Sequence, residues 1–271
     1  MRLAFLGGIY SNHVALDAAL HDARRRGAEE VFCLGDMGAF GPHPDRAVDT
    51  LREQDVICVQ GNYDDSIGRA LEDCQCGYTD PQDNLFAQIS YDYTLANTSS
   101  EHRDWLRQLP KSLDFERDGV RFHLCHGSPR RTNEFLWEST TSTAFLDRVM
   151  EPTGADVVLG THTGLHWTRQ THQGRRFVNV GVLGRPANDG KTCVWYTLID
   201  LMREANGGGV QGRDGETVSV EFVPLEYDHG RLATEMRAER LPEEFVETIE
   251  TGWWTTCLEV LPSRERRRGR C

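Results

Sequence analysis

The chain opens with an apolar run, "RLAFLGG" at residues 2–8, followed by "NHVALDAALHDARRRG" at 12–27, whose apolar positions recur at helical spacing. The first pattern predicts a strand and the second a helix that Gly27 stops. "AEEVFCLGD" and "HPDRAVDTLREQ" repeat the pair, and "DVICVQGNYDD" reads as a third strand. This order predicts parallel strands joined by right-handed crossovers, with the strands' carboxyl ends along one edge, where such sheets bind ligands. Asp36 and Asn62 follow the second and third strands and belong at that edge.

Helical patterns come next in "NLFAQISYDYTLAN" and "SSEHRDWLRQLP", the latter opening with serine and an acidic residue in capping positions. Strand patterns return in "VRFHLCHGSP", "ADVVLGTHTG", "RRFVNVG", "TCVWYTLID" and "TVSVEFVPLEYD", with a helical "TSTAFLDRVME" among them. Two β-rich stretches separated by helices predict an α/β protein whose two sheets pack face to face under helices. From Asp228 the pattern is helical again ("LATEMRAER", "LPEEFVETIE") and ends in "TGWWTTCLEVLP". No repeat or Pro/Gly/Ser linker interrupts the chain. We therefore expect one domain over 1–227 and a helical C-terminal appendage over 228–271 packed on it.

Charge narrows the partners. A net charge of −12 argues against a nucleic-acid binder, which would present a basic face. The basic tail "RERRRGR" at 264–270 reads as a solvated terminus. The eight cysteines do not form a secreted disulfide framework, because Cys33, Cys58 and Cys125 sit in apolar strand-like runs as small hydrophobes. No apolar run is long enough to span a bilayer, and the opening residues do not make a signal peptide. The expectation is a soluble cytoplasmic protein, with oligomer formation left open.

Four segments place a metal-competent side chain directly after a predicted strand: "LGDMGAFGP" (Asp36), "QGNYDD" (Asn62), "LCHGSP" (His126) and "LGTHTG" (His162). A carboxylate, an amide oxygen and two imidazoles suit manganese, iron(II), zinc or nickel better than calcium or a thiolate-bound metal. Taken singly each is weak, since a histidine after a strand is more often structural and G-D or G-N pairs are ordinary turns. Together, in equivalent positions, they point to one site.

These segments resemble the calcineurin-like metallophosphoesterases, in particular their small bacterial and archaeal phosphodiesterase-like branch. "LGDMGAFGPHP", "GNYDD", "HGSPRRTNEFLWE" and "VNVGVLGRPANDG" are similar to that family's motifs in kind, order and spacing, and "DCQCGY" at 73–78 looks like a further element of the branch. The resemblance runs to about residue 200 and implies a four-layer αββα sandwich of two mixed sheets flanked by helices. It also implies a two-metal site in which Asp36 bridges, and Asn62, His126 and the first histidine of a G-H-x-H segment complete the second metal. The first metal's D-x-H falls on Gly8 and Tyr10, so its aspartate and histidine are missing. "GTHTGLHW" allows two registers, in which Gly160 replaces the first histidine or Gly164 the second. The economical register makes His162 the first histidine and Gly164 the third vacated position, so that all losses strip one metal. What remains is one divalent transition metal (Mn, Fe, Zn or Ni) at Asp36, Asn62, His126 and His162. The implied function is hydrolysis of a phosphate ester, a phosphodiester or nucleotide-like small molecule. The alternative is a weak or inactive relative that binds metal, phosphate or nucleotide as a sensor or interaction module.

Further candidates surround this set. Tyr63 stands where many members carry a catalytic histidine; it would donate a hydrogen bond to phosphate or simply pack on the rim. Asn12 matches the asparagine after the opening motif, and Arg130 and Arg131 would clamp a phosphate or form surface ion pairs. Tyr10 would serve as a phenolate ligand or fill the emptied pocket. Cys74 and Cys76 read as a structural loop, and His123, His166 and His172 as structural. Phe245, Trp253 and Trp254 read as covering the core or a partner surface.

Overall fold

In the computed structural model, which describes residues 1–203, 210–211 and 216–267, the apolar runs form two stacked sheets. One has six strands in the order β10-β11-β9-β1-β2-β3: β1 Arg2–Leu6, β2 Glu30–Cys33, β3 Ile57–Cys58, β9 Val194–Arg203, β10 Val210–Gln211 and β11 Glu216–Leu225. β1, β2 and β3 are parallel, as the strand–helix alternation predicts, while β9 pairs antiparallel with both β1 and β11. The other sheet has five strands, β4-β5-β6-β8-β7: β4 Ser112–Arg117, β5 Val120–Cys125, β6 Val157–Gly160, β7 Trp167–Gln170 and β8 Arg176–Asn179. There β5, β6 and β8 run parallel between two antiparallel edges.

Period-two alternation makes the layers. In β1, Leu3 and Phe5 face the second sheet and pack in one core with Phe122, Leu124, Val157, Leu159 and Val178. Ala4 and Leu6 face the other way, into a core shared with the helices α1 (His13–Arg25), α2 (Pro44–Glu53), α7 (His229–Ala238) and α8 (Glu243–Thr251). A strand buried on both faces has no polar alternation, which is why "LAFL" is uniformly apolar. Behind the second sheet, Cys125, Val158 and Phe177 meet Leu146 and Met150 of α6 (Thr143–Met150). The result is the expected αββα sandwich. Among the described residues no helix is long and apolar enough to cross a membrane.

Several local expectations need correction. "GNYDD" is not a strand end: β3 is only two residues long, and Asn62 begins a helix, α3 (Asn62–Arg69). The edge strands β4 and β7 were not expected. β4 shows only Leu113 and Phe115 as apolar alternates, because an edge strand buries one face. Helices α4 (Pro81–Asn97) and α5 (Ser100–Gln108) lie where the pattern puts them, and Ser99 caps α5 by accepting from His102 N–H.

The segment after 227 contributes Leu232, Met236, Phe245, Val246 and Ile249 to the same core as α1. Phe245 stacks on Phe40 with ring centroids 4.6 Å apart, and Trp254 is 2% exposed. Both cover the core. A short helix α9 (Ser263–Arg266) follows, and its buried Glu265 accepts hydrogen bonds from the N–H and hydroxyl of Ser139. The start of the basic tail is thus docked rather than solvated; 268–271 lie outside the described residues.

Candidate metal centre

The parallel strands deliver three side chains to one buried point. After β2 the chain turns through Gly35 (φ +90°) and Asp36 (φ +56°). A left-handed aspartate is uncommon, and here the carboxylate of Asp64 holds it. Asp64 accepts from the backbone N–H of Asp36 (2.8 Å), Met37 (2.9 Å) and Gly61 (2.7 Å). Gly61 must be glycine, since a Cβ there would lie 2.2 Å from Asp36 Oδ1. That oxygen accepts the N–H of Tyr63 at 3.0 Å, and Oδ2 lies 3.1 Å from His126 Nε2.

His126 follows β5, and its Nδ1–H donates to the Leu34 carbonyl at 2.6 Å. This leaves Nε2 as the outward nitrogen, the tautomer a metal ligand needs. His162 follows β6 with φ +45°, and its Nδ1 is 3.2 Å from His126 Nε2. Asn179 steadies the turn that carries it, donating to Thr161 O and Thr163 Oγ1, each at 2.8 Å. The donor atoms of Asp36, His126 and His162 all fall within 4.8 Å of one another. Bonds of about 2.0–2.2 Å to one cation place neighbouring donors roughly 3.0–3.5 Å apart, so the measured spacings fit.

Asn62 strengthens the fit. Its Nδ2 donates to Cys74 O at 2.8 Å and approaches Cys76 Sγ at 3.5 Å, which leaves Oδ1 buried with no hydrogen-bond partner. Such an orphaned acceptor costs about 1–3 kcal/mol unless something electropositive meets it. Cys74 and Cys76 are joined as a disulfide. The loop they close does have a structural role: it presents the acceptors that aim Asn62. Cys33, Cys58, Cys125, Cys193 and Cys257 are free and buried.

Electrostatics follow from burial and proximity. Burial works to raise the Asp36 pKa, but the charge and hydrogen bond of His126 outweigh it and the carboxyl is held below its ordinary value. For His126 burial works downward and the Asp36 carboxylate wins, holding the pKa up. His162 is pushed down to about 3, first by burial and then by the neighbouring His126 charge, so it stays neutral. Asp64 is raised to about 6 by burial and by Asp36, against the pull of its backbone donors.

The remaining candidates divide. Tyr63 and Tyr10 line a cavity with Asp36 and His162, and the cavity's volume is about 50 Å³. Tyr63 donates to Ser90 Oγ at 3.0 Å, and burial raises its pKa. Burial likewise raises Tyr10, and its ring occupies the space beside Gly8 and Gly184. Gly8 and Gly164 flank this region: an added Cβ at Gly8 would strike the Tyr10 ring, and one at Gly164 would touch Trp254 at 3.5 Å.

Asn12 lies in the interior. It is fully buried, and its Oδ1 caps α1 by accepting from Ala15 N–H while Nδ2 donates to Leu183 O. Both polar atoms of its amide thus have backbone partners. Arg130 is also turned away, paired with Glu134, stacked on Phe145 and lining a separate groove with Asp114 and His123. Arg131 bonds Asn133 and shares a second groove with Asn62 and Gln60. His123 and His172 pair with Asp114 and Asp147, and His166 packs against Trp195.

Sequence reasoning missed Asp64, Asn179 and Arg185. All three stand inside quoted motifs, so position was the available signal; what sets Arg185 apart is what surrounds it, which only the structure displays.

A sandwich of mixed sheets with this strand-end cluster defines a metallophosphoesterase fold. The chain belongs to the calcineurin-like phosphoesterase superfamily, whose domain matches residues 1–201. It is similar to a metallophosphoesterase structure from Sphaerobacter thermophilus (23% identity, TM-score 0.67, covering 93% of this chain and 99% of that one). A hypothetical protein from Pyrococcus horikoshii is similar in fold (22% identity, TM-score 0.73, 94% and 99% covered). An uncharacterised protein of Methanocaldococcus jannaschii is 24% identical over 265 residues, 92% of this chain and 98% of the relative.

Proposed function

We propose that the protein is a metal-dependent phosphoesterase that works with one divalent transition metal rather than two, on a phosphodiester or nucleotide-like small substrate. The observation that carries this reading is the buried trio Asp36, His126 and His162, with the orphaned Asn62 Oδ1 one residue before the Tyr63 N–H that binds Asp36. These four residues would hold manganese, iron, zinc or nickel. A divalent cation bound there supplies the charge that polarises a phosphoryl oxygen and acidifies water.

The chain's own residues do the rest. The Leu34 carbonyl fixes the His126 tautomer, and Asp64 holds the Asp36 turn. Tyr63 lines the cavity with its hydroxyl proton donated to Ser90 Oγ. Aromatic walls from Tyr10, Phe40, Tyr78 and Phe245 keep bulk water away from the reacting group. At about 50 Å³ the cavity exceeds the roughly 10–15 Å³ of one water several-fold, which suits a phosphoryl group with its ester arm outside. Free buried thiols favour a cytoplasmic setting.

A second reading is favoured by Tyr10 standing where a metal ligand would: the protein binds metal and phosphate without turnover, as a sensor. Hydrolysis of bis(p-nitrophenyl) phosphate by manganese-loaded protein decides between them. Turnover that disappears in His126→Ala supports the enzyme; binding without turnover supports the sensor.

A further inference from the structure

The three departures from the two-metal pattern converge on one side chain. Gly8 O accepts from the N–H groups of Leu183 and Gly184, at 3.0 and 2.9 Å, which ties the loop after β8 to the turn bearing Tyr10. Arg185 is the next residue of that loop. Gly164 faces Trp254, and Arg185 stacks its guanidinium on the same indole with its central carbon 3.4 Å from the ring centroid. The guanidinium also lies 5.9 Å from the Tyr10 ring and 6.0 Å from that of Phe40.

Arg185 is only 7% exposed, has no hydrogen bond or ion pair among the described residues, and buries Nε without a partner. Arg175 and Arg176 also bury a nitrogen without a partner, though both are only half-buried, and three other half-buried arginines are paired. Arg2 pairs with Asp200, Arg117 with Glu30 and Arg121 with Asp156. In a chain with 42 acidic and 30 basic residues, carboxylates are abundant, yet none is spent on Arg185. A buried guanidinium without an anion is costly, and stacking on indole offsets only part of that cost. Stacking does hold the plane fixed and leaves the N–H edges free, the arrangement that grips phosphate bidentately. Arg185 lines the cavity that Asp36 and His162 also line.

We propose that Arg185, held on the Trp254 shelf, is an anion-binding residue that takes the phosphoryl group of the substrate and supplies there the positive charge that the stripped first metal position does not. The role in catalysis rests on the phosphoesterase reading; the binding of a phosphoryl anion does not.

Titration calorimetry of inorganic phosphate into metal-free full-length protein tests it. Wild type should bind phosphate, and Arg185→Gln should weaken binding at least tenfold while metal stoichiometry, measured on the same preparations, stays unchanged. Arg185→Lys keeps a cation on the shelf without the fork, so it should fold and bind phosphate several-fold more weakly than wild type. Thermal melts of both variants show that the fold is intact, and if Arg185→Gln does not fold, the lysine variant decides. Wild type that binds no phosphate, or variants that bind it as tightly as wild type, overturns the inference. Phosphate binding through Arg185 in a protein that holds no metal sustains it and removes the mononuclear reading instead.

Discussion

The ring of Tyr10 fills the space into which a side chain at Gly8 would grow: a Cβ there would lie 2.4 Å from Tyr10 Cε1. The two positions are therefore sterically coupled. Gly8→Asp alone should destabilise the protein by about 1–3 kcal/mol through overpacking. Combined with Tyr10→His the penalty should largely vanish, a coupling that thermal unfolding of the two single variants and the double variant will reveal. Simple addition of the single effects would show that the ring does not set the constraint.

Removing either histidine should empty the site. His126→Ala and His162→Ala should each lower metal affinity at least 100-fold, an order of magnitude typical of ligand loss rather than of its surroundings. His166→Ala should leave affinity unchanged, because that ring packs against Trp195 and Phe222 instead. Metal retained after His162→Ala but lost after His166→Ala would reverse the assignment.

Asp64 should matter without touching the metal. In Asp64→Asn one carboxylate oxygen becomes an N–H₂ group facing backbone donors from Asp36, Met37 or Gly61. The expected cost is about 2–3 kcal/mol of stability, with weaker metal binding as the Asp36 turn loosens. Chemical denaturation and metal titration of the same variant check both. Unchanged metal affinity would separate the turn from the site.

Much of this was legible in the chain. Uniformly apolar "LAFL" announces a strand buried on both faces, and the strand-end positions of Asp36, His126 and His162 follow from alternation alone. Asn62 reads as following a strand but begins a helix, because α3 has a weakly apolar pattern that reads like the tail of β3. The capping role of Asn12 was not legible, since a capping amide and a substrate-binding amide look the same until their partners are seen. Arg185 lies within the quoted "VNVGVLGRPANDG", but neither its burial nor the absence of a carboxylate beside it is written in neighbouring residues.

Away from the site, Asp22 sets part of the acid sensitivity. Burial works to raise its pKa, but hydrogen bonds from Arg25, Tyr196 and Arg26 bring it from the ordinary 3.8 down to about 2. A depressed carboxylate contributes stability that is fully present above about pH 4 and is lost as pH falls through about 2. With Arg25 largely exposed, that contribution is about 1–2 kcal/mol. Asp22→Asn should therefore be less stable than wild type at pH 7 and converge with it near pH 2, as urea unfolding across that range will show. A constant gap between the two proteins would remove Asp22 from the account.

The central claim is a single metal site built from Asp36, Asn62, His126 and His162, and elemental analysis of the purified protein tests it most directly. After saturation with manganese and removal of excess ion, the account predicts about one metal atom per chain in wild type and close to none in His126→Ala. Two tightly held atoms per wild-type chain would contradict it, because the second would have to bind where Gly8, Tyr10 and Gly164 offer no ligand set.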